Sequence, residues 1–351
     1  SFFMKKHFDY IVVGGGISGC VLGYTLMKYG ASVLLYDLPK ENKSSAVAAG
    51  LWNPVVLKRM KKVWMADEMM AELHTVYPDM ERWTASEFFD PIAIRRVFHN
   101  AGEQNTWMEL CDSPAFSPYL EDSISALPEG VVGKFESGRM KGTGRLNVLG
   151  FIEAVHTALR KEENLCEERF DWNAVVRDSE GVDYKDVRAH AVISCEGAQM
   201  ALTEESLAQD GFSPVKGEVI RVKLDKALEN ECIHQKHFML SEGNNEVTVG
   251  ATYAWDGFDK GPTQEKKQEL EEHVSKVWKG SSKTLDHKCG VRPATKDRRP
   301  LVGPHSLAHT WIFGGMGSRA VLMAPYLAKV LVEHFMYGTD LFKECLPNRF
   351  S

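Results

Sequence analysis

The chain has 351 residues, of which 44% are hydrophobic and 26% are charged, and its formal net charge is −6. This composition is ordinary for a globular protein with a large buried core, and the length favours two domains or one large domain with an inserted layer. The acidic balance gives the chain no overall attraction to nucleic acid or to an anionic membrane.

The cysteines and the apolar runs limit where the protein is expected to work. Seven cysteines, an odd number, include no C-x-x-C pair, which favours reduced thiols over a disulfide framework. No apolar run is long enough to span a bilayer. We therefore expect a cytoplasmic protein without a membrane or nucleic-acid partner, and we leave open a homo-oligomer.

The stretch 8–37 predicts a dinucleotide-binding βαβ unit. Residues 8–13 are apolar and typical of a buried parallel strand, and they lead directly into the glycine turn Gly14-Gly15-Gly16-Ile17-Ser18-Gly19. A helical pattern follows, and a second strand at 32–36 ends on the acidic Asp37. A lone G-x-G-x-x-G is weak, but here the strand, turn, helix, second strand and acid occur in the required order.

Each part of this unit has a mechanical reason. Gly14 allows a tight turn, Gly16 leaves room for a pyrophosphate, and Gly19 allows the helix to pack closely on the strand. The helix N-terminus offers N–H groups to the phosphates. Asp37 accepts hydroxyl groups of an adenosine ribose, which favours NAD or FAD over NADP. The predicted cofactor-binding residues of this unit are Gly14, Gly16, Ile17, Ser18, Gly19 and Asp37.

Two stretches after Asp37, residues 44–54 and 58–62, each allow two interpretations. The small residues of 44–54 indicate either close approach of a flat ligand or backbone, with Ser45 as a cofactor contact, or a helix with a small-residue packing seam. The basic run 58–62 is typical of a solvated helix face, and the alternative is a contact with an anionic substrate tail. Residues 63–82 are predicted to be helical.

The central part of the chain alternates between two layers. Residues 83–144 show short strand-like pieces with Pro and Gly turns, which indicate antiparallel strands. A helix following Asn147 and buried strands at 175–176 and 189–194 then indicate a return to the first domain. We expect Val175 and Gly197 to lie beside the cofactor, because an apolar strand that breaks at a glycine places backbone there.

The segment 212–286 again predicts strands, followed by an amphipathic helix at 264–279. The pair His234-x-x-His237 lacks a carboxylate or cysteine that would complete a metal site, so we expect exposed histidines and no metal.

The last segment repeats the pattern of strand, glycine loop and helix. A strand at 310–313 leads to Gly314-Gly315-Met316-Gly317-Ser318 and a long apolar helix. The positive end of this helix is suited to the anionic edge of a reduced flavin, and the alternative is an ordinary capped C-terminal helix. On the flavin interpretation, Gly315, Met316, Gly317 and Ser318 contact the cofactor.

Four motifs together resemble the D-amino-acid oxidase superfamily of FAD-dependent oxidoreductases. They are the glycine turn, Gly250-Ala251-Thr252 followed by Gly257-Phe258-Asp259, the run from Gly290 to Asp297, and Gly315 to Arg319 followed by Ala324-Pro325. The closest patterns are those of glycine oxidase and of the flavin domain of the bacterial tRNA wobble-uridine modification enzyme. The resemblance extends from residue 9 to about 332 and is loose over 83–140.

The resemblance implies a fold, a cofactor and a reaction. The fold is α/β, with a discontinuous Rossmann-like FAD domain formed by 1–82, 145–211 and 287–351. A substrate domain of mixed or antiparallel sheet and helices is formed by 83–144 and 212–286. The reaction is oxidation of a C–N bond in an amino acid or other carboxylate-bearing amine, with hydride transfer to flavin N5 and O2 as acceptor. By position, Arg292 matches the arginine that holds the substrate carboxylate, and Tyr253 is a candidate for a hydroxyl or apolar wall.

Three departures from the family pattern bear on these expectations. Asp37 stands where glutamate is more common, and Ala320 where glycine is common, near the flavin edge. Cys289 is out of register with the cysteine that tethers flavin in sarcosine oxidases, so we expect non-covalent FAD. The alternatives are a dehydrogenase that uses NAD or another acceptor, a flavin enzyme of tRNA wobble-uridine modification and a non-catalytic flavin scaffold.

Overall fold

The computed structural model describes residues 4–38, 44 and 47–351. The predicted cofactor contact at Ser45 lies outside these residues. The α-helices are α1 (Ile17–Lys28), α2 (Ala66–Thr84), α3 (Ala101–Cys111), α4 (Val148–Lys161), α5 (Gln199–Leu202), α6 (Gln264–Val277) and α7 (Ala320–Tyr337). The first strands are β1 (Lys6–His7), β2 (Tyr10–Val13), β3 (Val33–Tyr36), β4 (Leu51–Trp52), β5 (Val55–Val56), β6 (Lys61–Lys62), β7 (Phe89–Pro91), β8 (Ala93–Val97), β9 (Leu120–Ser125), β10 (Ser137–Met140), β11 (Gly144–Leu146) and β12 (Leu165–Cys166). The later strands are β13 (Val175–Arg177), β14 (Val182–Tyr184), β15 (Val187–Ala189), β16 (Ala191–Ser194), β17 (Val215–Leu224), β18 (Glu231–Gln235), β19 (His237–Gly243), β20 (Glu246–Gly250), β21 (Ser282–Arg292), β22 (Leu301–Pro304) and β23 (Thr310–Gly314).

A mostly parallel sheet holds the predicted dinucleotide unit. In the described part of the chain its strand order is β12-β3-β2-β16-β23-β22, and all neighbours are parallel except β22 and β23. Strand β2 pairs with β3 on one side and with β16 on the other. The chain continues from β2 to β3 on one side of β2, and it later adds β16 on the opposite side. This reversal of strand order leaves a crevice at the carboxyl end of β2, where α/β sheets bind ligands.

A second, largely antiparallel sheet has the order β21-β17-β20-β19-β18-β8-β10-β9, and only β18 and β8 run parallel among these strands. Successive residues of a strand face opposite sides of the sheet. One side packs on α6 through a cluster that includes Ile220, Ile233, Met239 and Val249. The other side carries Ile94, Cys232 and Leu240, which pack with the main core. This second side faces the rest of the protein.

Smaller sheets complete the described residues. Strands β1, β15, β14 and β13 form one of them, β4, β11 and β7 another, and β5 and β6 a hairpin. The mixed α/β fold is as predicted. No described helix is long and apolar enough to cross a membrane, and no disulfide links the described cysteines.

The two main sheets draw their strands from alternating parts of the chain. Those of the parallel sheet lie within 1–82, 145–211 and 287–351, and those of the second sheet within 83–144 and 212–286, apart from the end of β21. We propose these ranges as the FAD domain and the substrate domain.

One local prediction is wrong, and one of the two interpretations left open for 44–54 does not hold. The basic run 58–62 is not a helix face, because Lys61–Lys62 pairs with Val55–Val56 in an antiparallel hairpin. Nor do residues 47–54 form a helix, because Leu51–Trp52 pairs with β11. In each case strand pairing outweighs local helical preference.

Candidate active site

A cavity of about 750 Å³ lies against both main sheets. Its walls combine the glycine turn, the ends of β3 and β16, the loop before α7, and one side of the second sheet. The predicted site residues that line it are Gly14, Gly16, Ile17, Ser18, Asp37, Gly197, Tyr253, Arg292, Gly317 and Ser318. The fold therefore brings residues separated by about 300 positions in the sequence to one cavity.

The glycine turn is compact because side chains do not fit in it. Gly14 has φ +110°, and a Cβ there would overlap the carbonyl oxygen of Cys195. Gly19 does not line the cavity, and a Cβ on it would overlap the carbonyl oxygen of Gly14. Gly19 thus sets the distance between α1 and the turn, which keeps the N–H groups of the helix start directed into the cavity.

Asp37 closes the turn from the end of β3. Its Oδ1 accepts a hydrogen bond of 3.0 Å from the Gly15 backbone N–H. On the other side, Nε2 of the buried His156 donates to the Gly15 carbonyl oxygen at 2.8 Å. His156 was not among the predicted site residues, although it falls on the inward face of the predicted helix after Asn147. The turn is therefore held by partners on both sides.

The segment that follows β12 contributes differently from the prediction. Phe170 lines the cavity together with Glu168 and Arg169. Val175 lies in β13 and is buried in an aromatic cluster that includes Phe170, and it does not line the cavity. A short 3₁₀ helix at Trp172–Ala174 separates the two positions, so the chain has already turned away from the cavity when it reaches Val175.

The loop before α7 is joined to the glycine turn. Gly317 and Ser318 line the cavity. Met316 is 5% exposed, and its sulfur accepts a hydrogen bond of 3.8 Å from the Ser18 hydroxyl. Gly315 has φ +66° and packs beneath the loop, away from the cavity wall. Gly315 and Met316 therefore shape the loop, and Gly317 and Ser318 face the cavity.

Arg319 is a cavity residue that the sequence reasoning missed. It immediately precedes α7 and donates from Nη1 to the carbonyl oxygen of Asn53 at 3.3 Å. Burial lowers the pKa of its guanidinium. The signal was a charged residue between a glycine loop and an apolar helix, a place where burial of a cation is unfavourable without a function.

Arg292 is a buried cation with an unused donor. Its side chain is 9% exposed, and Nη2 donates to the carbonyl oxygen of Thr252 at 3.4 Å. Nη1 is buried and has no hydrogen-bond partner within the described residues. Since an unpaired buried donor is costly, this arrangement is suited to a ligand that supplies an oxygen anion.

Tyr253 covers this arginine at the mouth of the cavity. The centre of its ring lies 4.8 Å from Cζ of Arg292, and the residue is 58% exposed. This is a cation–π contact. Tyr253 therefore forms a wall over the guanidinium.

The histidines of the His-x-x-His pair are not exposed, so that prediction is wrong. His237 is 7% exposed, and its ring lies 5.0 Å from that of His273. His234 lines the cavity, and burial and then Arg96 lower its pKa to about 3. They are buried because β18 and β19 are central strands of the second sheet. No group of side chains suited to a metal ion occurs among the described residues.

These buried histidines predict acid sensitivity. Burial lowers the pKa of His234 and His273 to about 3 in the folded protein, whereas an unfolded histidine titrates near 6.5. Below pH 6.5 the unfolded chain therefore binds more protons, and stability falls by up to about 1.4 kcal/mol per pH unit for each histidine. We expect His273→Leu to reduce the slope of the unfolding free energy between pH 6.5 and 5, measured by urea titration. The matched variant of exposed His7, His7→Leu, leaves that slope unchanged; equal slopes in all three proteins would contradict the assignment.

Comparison with known proteins decides the family. The family described as FAD dependent oxidoreductase matches residues 9–334, which is most of the chain. This chain belongs to the FAD-dependent oxidoreductase family. It is 25% identical to a glycine oxidase of Bacillus licheniformis over 94% of this chain and 93% of that protein. The resemblance to the D-amino-acid oxidase superfamily, on the glycine oxidase branch, is confirmed.

Solved structures of FAD-dependent oxidoreductases share the fold. Glycine oxidase from Geobacillus kaustophilus has a TM-score of 0.77 at 18% identity and covers 95% of this chain and 96% of its own. Iminodiacetate oxidase from Chelativorans sp. BNC1 has a TM-score of 0.79 at 18% identity and covers 97% and 99%. Family membership makes FAD the cofactor, which removes the NAD-dependent alternative.

The residues of this FAD-dependent oxidoreductase fit its cofactor. The glycine turn offers N–H groups in a space that a Cβ would close, and Asp37 lies at the end of the second strand. The loop at Gly317 faces the same cavity beside the start of α7. A dinucleotide that extends from one helix start to the other satisfies both.

Proposed function

We propose that this enzyme oxidises the C–N bond of a small amine that carries a carboxylate, either an amino acid or an N-substituted glycine. Arg292 carries the proposal, because its buried guanidinium lies on the FAD cavity with Nη1 unpartnered among the described residues. A guanidinium binds a carboxylate through two parallel hydrogen bonds, which fixes position as well as charge. The names of the relatives, glycine oxidase and iminodiacetate oxidase, agree with such a substrate.

We propose that FAD is held non-covalently along the cavity. The residues assigned to it are Gly14, Gly16, Ile17, Ser18, Asp37, Phe170, Gly197, Gly317 and Ser318. Phe170 replaces Val175 in this assignment because Phe170 lines the cavity. Gly19, Gly315 and Met316 act indirectly by shaping the two turns.

The chain itself binds and orients the substrate. FAD, when bound, supplies the hydride acceptor. Arg292 fixes the carboxylate, so that the neighbouring α-carbon has a defined position. Tyr253 forms a wall over the guanidinium, and Phe238 adds an apolar surface to the cavity. Both exclude water and thereby strengthen the charge pairing at Arg292.

Two further parts of the proposal concern the setting of the reaction. We propose O2 as the electron acceptor, with hydrogen peroxide and an imine as the products. We also propose a cytoplasmic location, which fits thiols that form no disulfide among the described residues.

A peroxide assay over a panel of amines tests the function. Purified protein with the yellow colour of bound FAD is incubated in air with glycine, sarcosine, iminodiacetate and D-amino acids, each beside an amine of similar size that lacks the carboxylate. We expect peroxide from one or more carboxylate-bearing amines and at least about tenfold less from the matched amine, because a charge-assisted hydrogen bond contributes about 1.5–3 kcal/mol. Peroxide from none of them, or equally from both members of each pair, would contradict the proposal.

A further inference from the structure

One side of the second sheet presents a row of residues to the cavity. His234 of β18 lies opposite Phe238 of β19, which lies opposite Gly250 of β20. Cross-strand partners in a sheet share a face. Their neighbours Ile233 and Met239 pack on the α6 side, so the row faces the other way, and all three of its members line the cavity.

Arg292 reaches the same side of the sheet from its edge. A Cβ built on Gly217 of β17 would overlap Nη2 of Arg292, so the guanidinium lies directly over that strand. A Cβ on Gly250 would meet the side chain of Val219, two residues along β17, at 2.6 Å, so the row continues onto β17. His234 and the guanidinium are thus separated by β19 and β20. Three strand spacings of about 4.8 Å, together with two residues of about 3.3 Å each along β17, place the backbone positions beneath them roughly 16 Å apart.

The proton of His234 has a defined position. Nη1 of Arg96 lies 2.8 Å from Nδ1 of His234. An arginine can only donate, so Nδ1 accepts and the proton of the neutral ring is on Nε2. Nη2 of Arg96 forms an ion pair of 3.0 Å with Oε1 of Glu103, and the Arg96 side chain is only 5% exposed. The position of Arg96 is therefore fixed. The low pKa of His234, caused by burial and then by Arg96, keeps the ring neutral.

Nε2–H is an unused donor. It has no hydrogen-bond partner among the described residues, and His234 lines the cavity. Arg292 at the other end of the row also has a donor without a described partner. Glycine spans less than about 5 Å and does not reach both.

We propose that His234 determines substrate specificity by donating Nε2–H to a second oxygen acceptor, at the end of the substrate remote from the carboxylate on Arg292. The substrate is then an N-substituted glycine or a longer amino acid whose far end carries a carboxylate or carbonyl oxygen. Phe238 and Gly250, which lie between the two donors, suit an apolar middle section. This inference rests on the proposed function and names its substrate class.

The test compares N-substituted glycines that differ only at the far end. Iminodiacetate and N-(2-carboxyethyl)glycine carry a carboxylate, N-(carbamoylmethyl)glycine carries a carbonyl, and N-propylglycine and N-butylglycine are apolar counterparts; sarcosine has no far group. In the wild type we expect kcat/KM for at least one oxygen-bearing arm to exceed that of its apolar counterpart by about 10–100-fold, mainly through KM. The carboxylate and carbonyl arms show which oxygen is preferred.

Two variants separate hydrogen bonding from structure. His234→Leu removes the donor and is expected to abolish the preference, measured in that variant as the ratio of kcat/KM between each oxygen-bearing arm and its apolar counterpart. His234→Gln supplies an amide N–H donor at this position and is expected to retain part of the preference. Absence of a preference in the wild type, or the same preference in the leucine variant, overturns the proposal, and the wild-type comparison decides even if that variant does not fold. If sarcosine is oxidised without any preference, only this inference fails; if no carboxylate-bearing amine is oxidised, the proposed function fails and the inference with it.

Discussion

Replacing Arg292 by lysine is expected to lower kcat/KM for a carboxylate-bearing amine by about 30-fold to several thousand-fold, with most of the loss in KM. Lysine keeps the charge but loses the planar pair of donors. Disrupting a buried, hydrogen-bonded charge pair costs about 2–5 kcal/mol, and each 1.4 kcal/mol is a factor of ten. FAD content is expected to stay at the wild-type level, because Arg292 belongs to the strand edge of the second sheet and not to either glycine loop.

The same substitution at Arg298 is the matched control. Arg298 lies six residues further along the same segment, and it is exposed. Steady-state kinetics of Arg298→Lys should match the wild type, and absorbance at 450 nm should show equal flavin in all three proteins. Wild-type kinetics in Arg292→Lys would remove Arg292 from the substrate site. Loss of flavin in that variant would instead show that the residue supports the FAD cavity.

Replacing Gly19 by alanine is expected to weaken FAD binding about 5- to 150-fold. The added Cβ would overlap the Gly14 carbonyl oxygen, and backbone atoms cannot move aside as a flexible side chain can. Overpacking of this kind costs about 1–3 kcal/mol, and it displaces the helix start that faces the phosphates. FAD release on dilution, followed by flavin fluorescence, measures the dissociation constant.

Gly23→Ala provides the control within the same helix. A Cβ at Gly23 would lie 3.7 Å from its nearest neighbour, Leu35, which is ordinary contact. Alanine favours helix over glycine by about 1 kcal/mol, so this variant should bind FAD as the wild type does and melt at the same or a higher temperature. Equal FAD affinity in the two alanine variants would contradict the role given to Gly19.

The dinucleotide unit could be predicted from the sequence because its determinants are local. The apolar strand, the glycines and Asp37 follow one another within 30 residues, and each has one mechanical role. Gly14, Asp37 and Gly317 line one cavity.

The basic hairpin and the buried histidines could not be predicted because strand pairing decides their environment, with a near segment for the hairpin and with distant strands for the histidines. Lys61–Lys62 is a strand only because Val55–Val56 lies beside it. His234 is buried because β8 and β19 flank its strand, and Arg96 reaches it from β8. Sequence spacing indicates two histidines close together, but not what covers them.

Val175 and Phe170 show the limit of pattern matching inside a correctly assigned segment. A β-branched pair predicted a strand, and a strand forms at Val175–Arg177. The strand belongs to the small mixed sheet of β1, β15, β14 and β13 rather than to the large, mostly parallel one, so its start lies off the cavity. An aromatic residue five positions earlier lines the cavity instead. Sheet membership depends on the pairing partner, here Val182–Tyr184, which lies outside the pattern of the strand itself.

The most direct measurement of the central claim is a crystal structure of the FAD-bound enzyme with a carboxylate ligand that is not oxidised. We predict continuous flavin density from the glycine turn at Gly14 to the loop at Gly317. We also predict two N–H···O contacts of about 2.9 Å between Arg292 and the ligand carboxylate. Flavin density elsewhere, or a ligand carboxylate that binds away from Arg292, would contradict the account.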